Sequence, residues 1–205
     1  GIPAREGWQL TPGAAFLHYT PNETIHGVEF HDIPDAGGVP LVADVSSNFL
    51  SRPMDVSRFG VLYGGAQKNL GPSGLAIAII RKDLLGRHGR NLPPIFELQN
   101  QAKNDSMFNT PPTFAWYVLG LVLQWVKTQG GAAAMGERNG RKAALLYSAI
   151  DGSGGFYRNT VQPSARSWMN VPFFLPDEDR EPYVEASQLK DLAAAWRERL
   201  GAEKL

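Results

Sequence analysis

The chain has 205 residues, 43% of them hydrophobic and 20% charged, enough for one substantial domain with a buried core. Twenty basic residues offset twenty acidic ones, and there is no cysteine. The balance excludes a global field for nucleic acid or an anionic membrane, and the missing thiols exclude disulfides, thiolate metal sites and cysteine nucleophiles. An anionic ligand must be held by a local site, and the composition suits a cytoplasmic protein.

The chain opens on Gly1-Ile2-Pro3 without a methionine and reads as cut from something longer. Its first ten residues lack a basic start followed by an apolar run, so they do not read as a signal peptide. Residues 14–19 are predicted as a strand ended by Pro21, and short strands are predicted over 27–30 and 40–44. The run Leu41-Val42-Ala43-Asp44 is apolar until its closing acid, the pattern of a parallel strand covered on both faces. Residues 60–63 form another apolar run, which stops in the glycine-rich loop from Gly64 to Gly74; the aliphatic residues 75–80 read as the next strand.

Residues 86–106 are polar, without an apolar period, and are expected to be irregular. Thr110-Pro111-Pro112 predicts a helix start, with Thr110 as N-cap. That helix is apolar nearly all round, with Phe114, Tyr117, Leu121 and Trp125 on one side and Leu119, Leu123 and Val126 on the other. It is expected to be buried or to lie at a subunit contact. The stretch 114–126 is shorter than the roughly 20 residues of a membrane span. Gly130-Gly131 ends the helix, and a second is predicted over 132–150, stopped by Gly152. Residues 156–161 and 168–175 are predicted strands. Beyond Asp177 the charge density rises, and Leu189, Leu192, Trp196 and Leu200 predict an amphipathic helix.

Chemistry concentrates at Asp44 and Lys68, each at the end of a predicted strand. A carboxylate and an amine at one edge of an α/β sheet stand where such folds bind ligands. A lysine partly desolvated there can form an imine with an aldehyde, and the acid can keep a ring nitrogen protonated. The plainer readings are a turn aspartate and a solvated loop lysine, and spacing alone does not choose between them. The loop is no nucleotide-binding P-loop, because neither the glycine before the lysine nor the Ser or Thr after it is present. His26, His31 and Asp32 fit no common metal-ligand spacing.

Four ordered segments carry a family resemblance: Tyr19-Thr20-Pro21-Asn22-Glu23-Thr24-Ile25; Asp44-Val45-Ser46-Ser47 with Leu50-Ser51-Arg52-Pro53; Ala66-Gln67-Lys68-Asn69-Leu70-Gly71-Pro72-Ser73-Gly74; and Ser106-Met107-Phe108-Asn109-Thr110-Pro111-Pro112-Thr113. Together with Arg166-Ser167-Trp168-Met169-Asn170-Val171-Pro172-Phe173, they resemble the phosphoserine aminotransferases, class-V members of the fold-type-I pyridoxal-phosphate enzymes. The resemblance runs from about residue 12 to 181.

It implies an α/β fold: part of a large, mostly parallel-sheet domain over residues 1–128, then a connecting helix and part of a small C-terminal domain over 129–205. It implies pyridoxal 5'-phosphate as cofactor, with Lys68 as the catalytic lysine that binds it covalently and then carries the proton. Asp44 would pair with the pyridinium nitrogen, Thr24 with the ring's phenolic oxygen and Gln67 with the phosphate. Asn109 and Thr110 would reach the cofactor phosphate of the second subunit of a homodimer. The implied reaction moves the amino group of glutamate to 3-phosphohydroxypyruvate, in serine and pyridoxine biosynthesis. The family's first phosphate loop, the aromatic residue that stacks on the cofactor and one substrate arginine would precede Gly1. The family's late His-Arg pair and second substrate arginine are not recognisable after Pro182, and Arg52, Arg58 and Arg166 read as surface or packing residues. The alternatives carried forward are an inactive partial aminotransferase and a transaminase for another keto acid.

Overall fold

A computed structural model describes residues 1–87 and 91–176. The first strands are β1 (Leu17–Tyr19), β2 (Asn22–Glu23), β3 (Val28–Glu29) and β4 (Leu41–Asp44), followed by β5 (Val61–Gly65) and β6 (Ala76–Ile80). The main sheet runs in the order β1-β4-β5-β6, with β1, β4 and β5 parallel and β6 antiparallel at the edge; β2 and β3 form a separate hairpin. The fold is therefore mixed α/β with a mostly parallel sheet.

Side chains alternate sharply across this sheet. Leu41, Ala43 and Leu62 are buried and join Val45 and Phe59, with Leu17, Tyr19, Ile33, Phe49 and Met54 closing over them. The opposite face carries His18, Val42, Asp44, Val61 and Tyr63, which are half-buried or exposed. The cover expected on both faces of residues 41–44 is thus present on one. Of the strand predicted over 14–19, the last three residues pair.

Three helices follow: α1 (Leu98–Lys103), α2 (Thr113–Thr128) and α3 (Gly131–Asp151). The first corrects the irregular reading of 86–106. Its two turns hold by local bonds, such as Asn104 N–H to the Asn100 carbonyl, rather than by an apolar stripe. The N-cap of α2 is Pro112, without a side-chain cap, so Thr110 does not cap it. Gly130, at φ 97°, takes the left-handed conformation that lets α2 stop and α3 begin within two residues.

On α2 only Ala115 and Leu119 are buried. Phe114, Tyr117 and Trp125 stand 76%, 64% and 49% exposed, so the described residues do not enclose the helix. No helix among the described residues is long and apolar enough to cross a membrane. On α3, Met135, Asn139, Ala143, Tyr147 and Ile150 make one buried stripe. It packs beside Arg52 and Pro53 at Gly136 and against Trp168 at Gly140. The strands predicted over 156–161 and 168–175 reduce to one bridge between Arg158 and Phe174. The predicted tail helix lies outside the described residues.

Candidate active site

Because β1, β4 and β5 run parallel, the segments leaving their C-terminal ends gather at one edge. Asp44 closes β4, Lys68 lies in the loop after β5, and Thr24 follows β1 through the β2 hairpin. One oxygen of Asp44 is fixed by a local turn, accepting from the Ser46 N–H at 2.9 Å and the Ser46 hydroxyl at 2.6 Å. The Ser46 Oγ in turn accepts from the Gly65 N–H at 3.0 Å. The other carboxylate oxygen, Oδ2, has no hydrogen bond among the described residues. Asp44 is held at one atom and available at the next.

Lys68 rides on a closed turn. Leu70 N–H and Gly71 N–H both donate to the Ala66 carbonyl, at 3.0 and 2.8 Å, and the Ala66 N–H donates to the Leu75 carbonyl at 2.9 Å. Ala66 and Leu70 are buried against Leu119 of α2, and the Asn69 amide donates to the Phe49 carbonyl at 2.7 Å. These anchors leave Lys68 pointing outward, its Nζ donating to the Thr24 Oγ1 at 3.3 Å. The Gln67 side chain folds back over Gly65, where a β-carbon would come within 2.4 Å of its Oε1.

Four predicted site residues, Thr24, Asp44, Gln67 and Lys68, therefore meet at one edge. Asn109 and Thr110 do not join them. Both are exposed on the segment leading into α2 and make no hydrogen bond within the described residues. The α2 start reaches the lysine loop instead through Pro112, beside Gly74.

A buried polar network beneath the site was not foreseen. Asn22, two residues before Thr24, donates to Ser47 Oγ at 2.9 Å and to Asn170 Oδ1 at 2.8 Å, and accepts from the fully buried Ser167 hydroxyl. Glu29, 1% exposed, pairs with Arg52 at 3.2 Å and accepts the Trp168 N–H at 2.8 Å. Arg52 also donates to the Phe30 carbonyl at 2.7 Å and to His31 Nδ1 at 3.0 Å. Since His31 Nε2 lies 2.9 Å from the Arg166 carbonyl, Nε2 carries the proton and Nδ1 accepts. The network ties Thr24 and Ser46 to the chain around Trp168. The sequence offered one faint signal for it, isolated polar residues such as Glu29 and Asn170 inside otherwise apolar segments.

His26 and Arg166 have other partners. His26 pairs with Glu23 at 3.2 Å, apart from the His31 bonds. Arg166 grips Asp151 with two hydrogen bonds, 2.6 and 2.8 Å, and lies over the Tyr147 ring at 4.6 Å. Burial pushes the Tyr147 phenol up to about 12, so it is a neutral donor to the Ser167 carbonyl at 2.9 Å.

A mostly parallel α/β sheet with a lysine turn and an acid at its C-terminal edge defines a class, and residues 4–183 match the aminotransferase class-V family. The chain belongs to that family. Among its relatives are two phosphoserine aminotransferases. That of Stenotrophomonas maltophilia (strain R551-3) is 60% identical over 178 residues, covering 87% of this chain and 49% of its own. That of Xanthomonas axonopodis pv. citri (strain 306) is 57% identical over 194 residues, 94% of this chain and 54% of its own. The pyridoxal-phosphate-bound phosphoserine aminotransferase from Trichomonas vaginalis superposes with a TM-score of 0.84 at 42% identity, covering 96% of this chain and 54% of its own. The phosphoserine aminotransferase from Bacillus circulans subsp. alkalophilus gives 0.82 at 42%, over 98% and 53%. The chain spans about half the length of the relatives it matches.

Proposed function

We propose that this chain is a phosphoserine aminotransferase polypeptide that holds pyridoxal 5'-phosphate at Lys68. Its reaction transfers the amino group of glutamate to 3-phosphohydroxypyruvate, a cytoplasmic step of serine and pyridoxine biosynthesis. The observation that carries this reading is the meeting of the unpartnered Asp44 oxygen, the Thr24 hydroxyl and the outward Lys68 amine at one sheet edge.

The donor set fits the cofactor. Asp44 Oδ2 would accept from the protonated ring nitrogen, while Ser46 keeps the other oxygen from turning away. Thr24 supplies a hydroxyl for the ring oxygen, and Gln67 an amide for the phosphate. Bound pyridoxal phosphate supplies an aldehyde and an electron-withdrawing ring. Lys68, on its fixed turn, supplies the amine that bonds to the cofactor and holds the proton to be moved. Asn109 and Thr110, bare on the chain's own surface, serve the partner's cofactor phosphate in a homodimer closed over α2.

A second reading is favoured by the engagement of Arg52 with Glu29 and of Arg166 with Asp151. A dianionic substrate needs fixed cations, and with these two taken the chain by itself would bind cofactor without turnover. The test supplies glutamate, 3-phosphohydroxypyruvate and pyridoxal phosphate and reads 2-oxoglutarate. Turnover lost in Lys68→Ala carries the first reading. Cofactor capture without turnover assigns the second, and turnover confined to another keto acid moves the protein to a different transaminase.

A further inference from the structure

On the open face of the sheet three polar side chains from three strands lie together. His18 on β1 is level with Val42 on β4, and Asp44 on β4 is level with Tyr63 on β5. The Tyr63 hydroxyl lies 3.0 Å from His18 Nε2, with the rings 6.0 Å apart and 35° from parallel. Since β1 and β5 flank β4 at roughly 4.8 Å on either side, this bond closes above β4, on the strand side of the Asp44 carboxylate. Burial and the Asp44 charge together push the Tyr63 phenol up, so tyrosine and carboxylate interact across that gap.

We propose that His18 and Tyr63 are positioning residues for Asp44. The bonded pair walls the carboxylate on its strand side, and Ser46 fixes Oδ1. Asp44 Oδ2 is left one direction in which to meet a ring nitrogen, the sheet edge shared with Thr24 and Lys68. The inference rests on the cofactor reading above and extends it to two residues that do not touch the cofactor.

The test uses the whole chain in two arms. Without cofactor, the ring resonances of 13C-labelled tyrosine report Tyr63. Asp44→Asn is expected to lower its ionisation midpoint, and His18→Gln to shift the same resonance by removing its hydrogen-bond partner. A Tyr63 signal indifferent to both changes overturns the proposal. With pyridoxal phosphate, Tyr63→Phe and His18→Gln, which keep most of the side-chain bulk, are expected to weaken binding about tenfold. The same changes are expected to have no effect in an Asp44→Asn background, because the pair acts through that carboxylate. Equal losses in both backgrounds mean that the pair acts by packing alone and overturn the proposal. Coupling in the first arm without cofactor capture at Lys68 keeps the three-residue arrangement and removes the cofactor reading instead.

Discussion

Arg52 and Arg166 illustrate how little a residue type says until its neighbours are known. Each is an arginine near the site, and each is committed to a carboxylate of its own chain. Glu29 is the more consequential partner, because it is 1% exposed and its loss leaves the Arg52 cation, 16% exposed, without a counter-charge. Breaking a buried pair from one side costs about 3–5 kcal/mol. Glu29→Ala is therefore expected to lower the unfolding free energy read from urea curves by that order, whereas replacing exposed Glu137, paired with Arg141 at 3.9 Å, should leave it nearly unmoved. Asp151 gives a pH signature. The hydrogen bonds from Arg166 hold its carboxyl below the usual range, so the pair adds stability above the unfolded carboxyl's value of about 4. That contribution disappears as pH falls through the lower folded value. With half of the Asp151 side chain in water the effect is small. Melting curves of the parent chain and Asp151→Asn should differ at neutral pH and converge in strong acid.

Among the elements, the strands at 41–44 and 76–80 were legible because short aliphatic runs bounded by turn residues have few other uses. Likewise α2 and α3 were legible from apolar spacing and the glycines between them. The helix at 98–103 was not, because Gln, Asn and Lys carry no periodic signal over two turns. The strand-like segments after residue 155 also read wrongly. Polar groups there go to the interior network rather than to a ladder, as when the Trp168 N–H donates to the Glu29 carboxylate at 2.8 Å. The all-round apolar character of α2 was read correctly, but among the described residues only Ala115 and Leu119 of it are buried. Leu119 is its large side chain buried against the lysine turn. Leu119→Ala is expected to cost about 2–3 kcal/mol and to loosen Lys68 with it, measured as faster amide exchange at Ala66 and Leu70. If the outer face of α2 closes the proposed homodimer, Trp125→Glu should convert dimer to monomer in sedimentation while leaving the melting midpoint of the monomer unchanged.

Among the described residues the sheet is packed on one face and open on the other, and the open face is where Asp44, Tyr63 and His18 lie. Parallel sheets ordinarily bury both faces; among the described residues Asp44 is half-buried, and Tyr63 and His18 are exposed. The site's ingredients were readable from sequence because Lys68 and Asp44 sit in contiguous segments that resemble a family's. The support beneath them was not, because Asn22, Ser47, Ser167 and Asn170 are distant in sequence and ordinary in type. Their arrangement exists only once the chain is folded.

The central claim is that this chain presents Lys68 as the cofactor-binding amine. The most direct measurement is to incubate the purified chain with pyridoxal phosphate, reduce with borohydride and map the labelled peptide. One stable label is expected, on Lys68, accompanied by a visible absorbance band that is absent in Lys68→Ala. Labelling scattered over the other lysines, or a band that persists in the variant, would contradict it.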